Sequence, residues 1–449
     1  MVQTHHTPAD TGSRRTGLNT AVALVAQLLP AAAIGALVLV ISVTVGVDSH
    51  PVAPAPAQPV QMTPVPFSDL VPFTLDIPKQ FSAERNGVKK QMFLPRGFEI
   101  SVYASGFSHP RFFVFGPANE MYITDRSTGT VSVVRDRDND GRADQTAVVT
   151  GGLDQPHGLD LHNGDLYVAE QGNVHVFRSI RPDGTFAARE IVIDDLPVLA
   201  PHDDKHVWHA TRTLVVGPDQ KIYIAAGSGC DHCLEEDPAR AAIMRYNLDG
   251  SGKELFARGL RNTVGIYFEQ TPAGYRMWGT DNGNEDIGED LPPDEINLIE
   301  KGKDYGWPYC YGDDSEQPGF AGSKPYCENV QTKPVGLLPA HSAPIGLSMM
   351  PAAGNSQKQQ FPDDYSSKLF IALQGSNPGN IPSGQLRGQK VVTFDTETHE
   401  VRDFVTGWFD PVSKERWDTL VGIGFDRNGA MYVSGRDTGY IYRVVYTGD

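Results

Sequence analysis

From about residue 93 onward one hydropathy pattern recurs: an apolar strand, a turn rich in Gly, Pro, Asn or Asp, then a second strand of the form x-Tyr-Val/Ile-x. It runs through Phe113–Asp125 (FVFGPANEMYITD), Gly158–Glu170 (GLDLHNGDLYVAE) and Leu214–Ala226 (LVVGPDQKIYIAA). It returns at Val264–Asp281, at Gly346–Leu373 with a long insertion, and at Val421–Ser434 (VGIGFDRNGAMYVS). Short apolar runs bounded by such turns read as β-hairpins. About six copies, spaced roughly 45 to 90 residues apart and each too small to bury its own face, imply stacking. Hairpin repeats favour radial closure over a solenoid. The predicted fold is all-β, a six-bladed β-propeller over residues 93–449.

Upstream the pattern changes twice. Residues 1–16 are polar and contain Arg14-Arg15, and residues 17–47 carry an almost uncharged run interrupted by Gln27 and Pro30. At roughly 28 residues this run is long enough to cross a bilayer. With arginines before it and Asp48 after it, it predicts a transmembrane signal anchor with a cytoplasmic N-terminus and an extracytoplasmic remainder. A cleaved signal peptide and a twin-arginine export signal are the alternatives. Residues 48–92 are proline-rich and low in charge, and read as a linker.

Gly 46 and Pro 33 suit many short strands joined by turns. A net charge of −17 argues against a nucleic-acid partner, which needs a basic face. The four cysteines fall into two local pairs, Cys230/Cys233 and Cys310/Cys327. In an exported chain these read as two disulfides, with a four-Cys zinc site as the rival. Cys230-Asp-His-Cys233-Leu is not a c-type haem motif, because no histidine follows the second cysteine.

Four stretches carry candidate chemistry. His202, His206 and His209 lie in a loop that runs into the strand Thr213–Val216. An imidazole there can take a proton from an alcohol at neutral pH, bind metal, or simply be solvated. Arg261, in Gly259-Leu-Arg261-Asn262, can stabilise negative charge or form a surface ion pair. The acidic, Gly-rich stretch Asp281–Trp307 can offer carbonyl oxygens to a hard cation, or remain a solvated loop. Asp136, Asp138, Asp140 and Gly141 match the first half of a calcium loop, but Ala147 stands where its glutamate belongs. Whether Asp136–Asp144 binds Ca²⁺ or forms an Asp-Gly turn is left open.

Taken together, these stretches resemble the soluble-type, pyrroloquinoline quinone (PQQ)-dependent sugar dehydrogenases from about Phe93 to Tyr446. The pieces are His209 ahead of Gly217-Pro218-Asp219, Gly259-x-Arg261-Asn262, and Asp294-Glu295-Ile-Asn-Leu-Ile followed by Tyr305-Gly306-Trp307-Pro308. Ala340-His341-Ser342-Ala343-Pro344 and the cysteine pairs resemble the aldose, L-sorbosone and pyranose dehydrogenase branch. The resemblance implies PQQ and Ca²⁺ as cofactors and oxidation of an aldose or related sugar by hydride transfer to PQQ. It implies His209 as base, Arg261 as the stabiliser of oxygen charge, and Asn262 as a cofactor contact. Gly283 and Asn284 would hold Ca²⁺ through backbone carbonyls, and Arg111 and His341 would line the cofactor pocket. Two departures stand out: Asn377-Pro378-Gly379 and Thr419 occupy positions where the family has basic residues for the PQQ carboxylates. Arg416, Arg387 or Lys390 would have to substitute.

With no haem motif, electrons must leave to an external acceptor such as a cytochrome or a membrane quinone. Two other readings stay open: a Ca²⁺-dependent lactonase-type hydrolase, and a non-catalytic propeller that binds glycans or protein.

Overall fold

The computed structural model describes residues 70–78, 89–198, 208–351, 359–376, 381, 383 and 386–448. The anchor at 17–47, the segment before it, His202, His206 and Asn377-Pro378-Gly379 lie outside the described residues. Among the described residues no helix is long and apolar enough to cross a membrane.

Six four-stranded antiparallel sheets are formed by the described residues, in the order of the six repeats. Their first, innermost strands are Pro110–Phe115, Leu159–His162, Arg212–Val216, Thr263–Thr271, Pro344–Met349 and Leu420–Phe425 (blades 1 to 6). Each pairs with the x-Tyr-Val/Ile-x strand or its equivalent, as the hydropathy pattern predicts. In blade 6 the outermost strand is not Tyr440–Tyr446 but Phe98–Ala104, which pairs with it from Tyr446↔Phe98 to Ile441↔Ala104. Closing the last blade with the domain's first strand removes an open edge between the two ends of the chain.

Hydrogen bonds between neighbouring inner hairpins hold the ring together. Thr124 Oγ1 donates to the His157 carbonyl at 2.8 Å, Thr213 Oγ1 to Val264 at 2.5 Å, and Ser434 Oγ to Arg111 at 2.8 Å. The Gly158 amide donates to the Arg212 carbonyl at 3.0 Å. Glycine is needed where these backbones meet: a Cβ on Gly158 would lie 2.2 Å from Leu214 N, and one on Gly346 would lie 2.5 Å from the Val421 carbonyl. Outside the ring, the space between blades is filled by buried apolar faces. Tyr223, Ile266 and Met277 pack between blades 3 and 4, and Trp278, Leu369 and Phe394 between blades 4 and 5.

The linker expectation for residues 48–92 needs correction at its C-terminal end. Leu70–Asp76 and Lys89–Pro95 form an antiparallel hairpin, and Phe93 exchanges two backbone hydrogen bonds with Thr406 next to blade 5. Alternation explains it: Leu75, Met92 and Leu94 point inward and are buried with Phe98, Phe361 and Phe404. The prolines at 66 and 72 obscure that period-two pattern.

Candidate active site

The inner strands start, and their partners end, around one mouth of the central channel. A cavity of about 450 Å³ opens there, within the usual range for small-molecule sites. Its wall includes His209, Arg261, Asn262, Gly283, Arg111 and His341. Six of the residues singled out in the sequence therefore converge in space. Val264, Ile345 and Val421 pack with Phe112 beneath this cavity. A second, mostly apolar cavity of about 490 Å³ lies at the other end of the inner strands.

His209 precedes the inner strand of blade 3. Its Nδ1 lies 2.8 Å from the Ser228 carbonyl, which can only accept, so Nδ1 carries the proton. Nε2 is left as the basic nitrogen. Burial, reinforced by the neighbouring Arg261 guanidinium, holds the imidazole far below its usual value, at about 3. One edge of the ring still reaches the cavity. Room for this arrangement depends on Gly227, where a Cβ would lie 2.5 Å from Asn262 Oδ1 and 2.7 Å from His209 Cβ.

Arg261 ends up largely enclosed by its own chain. Nη1 donates to the Asn282 and Gly283 carbonyls, both at 2.9 Å. Nε donates to the Asp231 carbonyl at 2.9 Å, and Nη2 to Asp231 Oδ1 at 2.5 Å. Four of five guanidinium N–H groups are thus engaged, leaving one on Nη2. The backbone amides of Arg261 and Asn262 are held by Asp281 at 2.9 and 2.6 Å. Asp294 accepts the Gly283 and Ala343 amides, each at 2.8 Å, joining blade 4 to blade 5. Burial raises the carboxyls of Asp281 to about 6, Asp294 to about 7 and Glu295 to about 8. Asn284 does not line the main cavity. It lines an adjoining recess with Gly283, Pro292 and Trp307, and its side chain donates to Asp286 at 2.6 Å. His341 donates from Nε2 to the Gly288 carbonyl at 2.7 Å, folding the 282–293 loop back over the site.

Opposite this wall stand three arginines. Arg111 is buried, and its Nε donates to His157 Nδ1 at 2.9 Å. Burial lowers its guanidinium to about 9, with repulsion from Arg126 and Arg436 adding to the effect. Arg126 hydrogen-bonds Gln155 and is likewise depressed by burial and by Arg436. Arg436 pairs with Asp437 at 3.0 Å. Sequence reasoning missed Arg126 and Arg436. None of the substitutes it offered lines the cavity: Arg416 shares Asp437 with Arg436, Arg387 pairs with Asp290, and Lys390 with Asp403. A signal was present, because Asp125-Arg126-Ser-Thr-Gly129 and Gly435-Arg436-Asp-Thr-Gly439 stand at the same place in blades 1 and 6. Ring closure makes those two blades neighbours.

The cysteines form two separate disulfides, Cys230–Cys233 and Cys310–Cys327, so a four-Cys zinc site is excluded. In Asp136–Asp144 the Asp136 carboxylate accepts the Gly141 amide at 2.9 Å and the Asp140 amide at 3.2 Å. The Asp136, Asp138 and Asp144 carboxylates also lie within 4.8 Å of one another, so the turn keeps a set of oxygens that a cation could join. The Asp294–Ile299 part of the acidic stretch is not loop at all, but the third strand of blade 4.

Known proteins share this arrangement of blades. A PQQ-dependent sugar dehydrogenase of Hypocrea jecorina is 20% identical over 411 residues, covering 79% of this chain and 89% of that protein. Quinoprotein glucose dehydrogenase B of Acinetobacter calcoaceticus is 26% identical over 303 residues, 56% of this chain and 58% of the relative. The holo PQQ domain of pyranose dehydrogenase from Coprinopsis cinerea superposes with a TM-score of 0.66 at 18% identity, over 79% of this chain and 97% of that one. At that identity the superposition establishes the propeller fold. The sequence itself matches the TrAA12-like family from residue 92 to residue 447, so the chain belongs to the AA12 family of PQQ-dependent oxidoreductases.

Proposed function

We propose that this propeller oxidises a hydroxyl-bearing carbon of a pyranose-type sugar, with PQQ and Ca²⁺ held in the 450 Å³ cavity. The observation that carries this reading is the meeting of Arg111, Arg126 and Arg436 on one wall, facing a neutral His209 on the other. Three mutually repelling guanidiniums are costly unless a polyanion joins them, and a tricarboxylated cofactor fits that demand. Bound PQQ supplies an electrophilic quinone carbonyl that accepts hydride. The Gly283 carbonyl, with a lone pair left beside its bond to Arg261, and the adjacent Asn284 turn would hold Ca²⁺. Asp281, Asp294 and Glu295, buried nearby and raised by that burial, suit a cation there.

His209 Nε2 takes the proton of the substrate hydroxyl, and the Ser228 carbonyl keeps the ring in the tautomer that can do so. Arg261 offers its remaining Nη2–H to negative charge forming in the cavity. Trp208, with its ring centroid 5.8 Å from that of His209, forms an apolar lip where a sugar face can rest. Two disulfides fit an oxidising, extracytoplasmic compartment, and electrons would pass to an external acceptor. The test is to titrate PQQ with and without Ca²⁺ by absorbance, then follow dye reduction over a panel of aldoses and pyranoses. Sugar- and PQQ-dependent reduction supports the reading. Lactone hydrolysis without PQQ would replace it.

A further inference from the structure

Arg261 lines the cavity and is gripped along its Nε–Nη2 edge by Asp231. Asp231 sits inside a four-residue ring closed by the Cys230–Cys233 disulfide. Both of its acceptors point at the same guanidinium, the main-chain carbonyl at 2.9 Å from Nε and Oδ1 at 2.5 Å from Nη2. A flexible loop would seldom present a carbonyl and a carboxylate together in one plane, whereas a short covalent ring limits the backbone to few conformations. The ring is anchored on both sides. Glu235 Oε1 accepts the Gly229 amide at 2.6 Å beneath it. On the far side, His232 Nδ1 meets Asp286 at 3.0 Å and the Glu285 amide donates to Asp231 Oδ1 at 3.3 Å. Loop 230–233 of blade 3 therefore grips the 282–286 loop of blade 4 through Arg261. The Arg261 and Asp231 side chains are 5% and 17% exposed, so water screens this pair little.

We infer that Asp231, presented by the Cys230–Cys233 ring, is a positioning residue that sets the plane of Arg261 and so aims its one remaining N–H into the cavity. The inference rests on the function proposed above. It adds a residue and a disulfide that lie outside the strand pairings of blade 3, with Asp231 reaching Arg261 in the connection to the next blade.

The test compares Asp231→Ala, Asp231→Asn and the double variant Cys230→Ser/Cys233→Ser, each loaded with PQQ and Ca²⁺. Misaiming a group by about 1 Å can cost about 100-fold, so Asp231→Ala is expected to lower kcat by about 10- to 100-fold with sugar KM within about threefold. Asp231→Asn keeps the Oδ1 acceptor and is expected to recover kcat to within about fivefold of wild type. The cysteine pair, with Asp231 intact but the ring open, is expected to lower kcat by about tenfold. A kcat within about twofold of wild type in both Asp231→Ala and the cysteine pair overturns the inference, as does a pure KM effect. If Asp231→Ala is not recovered folded, the cysteine pair alone decides on the same criterion. PQQ binding followed by absorbance separates the two failures: a wild-type protein that binds no PQQ refutes the proposed function, whereas wild-type binding and turnover with indifferent variants refutes only the role of Asp231.

Discussion

The Ser228 carbonyl lies 2.8 Å from Nδ1 of His209 and fixes which ring nitrogen is basic. Among the described residues no carboxylate is hydrogen-bonded to this histidine. Its neutrality comes from burial and from Arg261, which together hold it at about 3.

This has a measurable consequence for stability. The unfolded chain protonates His209 near its usual value of about 6.5, while the folded chain resists until about 3. Its contribution is therefore complete above pH 6.5 and is lost as pH falls through that window. Asp281, Asp294 and Glu295, raised by burial, act in the opposite sense, so total stability against pH mixes both. The difference between wild type and His209→Gln isolates the histidine. Between pH 7 and pH 5 that difference should move against the wild type by about 1–2 kcal/mol in denaturant unfolding. A constant difference would mean that His209 is not held neutral.

Arg126→Ala and Arg436→Ala should each weaken PQQ binding by about 10- to 100-fold, since a lost charge-assisted bond costs about 1.5–3 kcal/mol. Sugar KM at saturating PQQ should hold within about threefold. The cofactor-free proteins should melt no lower than wild type, because each substitution relieves repulsion on Arg111. Calorimetric titration and thermal melts of the two forms check both halves.

Gly227→Ala should reduce kcat by at least about tenfold, because its methyl group would lie against Asn262 Oδ1 and His209 Cβ. Gly151→Ala, whose added Cβ would approach nothing nearer than 3.7 Å, is the control and should behave as wild type.

How much of this was readable in the sequence differs by element. The six inner hairpins were, because a buried partner strand imposes the x-Tyr-Val/Ile-x spacing on each repeat. Arg126 and Arg436 were not, since an arginine after a strand and before Ser-Thr-Gly or Asp-Thr-Gly looks like ordinary turn chemistry. Only closure of the ring makes blades 1 and 6 adjacent. The link from His209 to Ser228 runs through a main-chain carbonyl, which leaves no trace in residue type. Asp231 leaves no mark either, since its bonds to Arg261 form across 30 residues only when the connection between blades 3 and 4 is folded. The Leu70–Asp76 strand was hidden by prolines around it.

Ser434 joins the last blade to the first, accepting the Gly422 amide at 2.7 Å and donating to the Arg111 carbonyl. It is fully buried. Ser434→Ala should cost about 1–3 kcal/mol by leaving those groups unsatisfied. Equilibrium unfolding measures it, and an unchanged midpoint would mean the ring does not depend on this bridge.

The central claim is that His209 is the base of a PQQ-dependent sugar oxidation. Its most direct test is a comparison of wild type and His209→Gln, both loaded with PQQ and Ca²⁺, in stopped-flow absorbance after addition of an aldose or pyranose. The expected result is equal PQQ affinity with sugar-driven cofactor reduction slowed by about 10²- to 10⁴-fold in the variant. Reduction at the wild-type rate in His209→Gln would contradict the account.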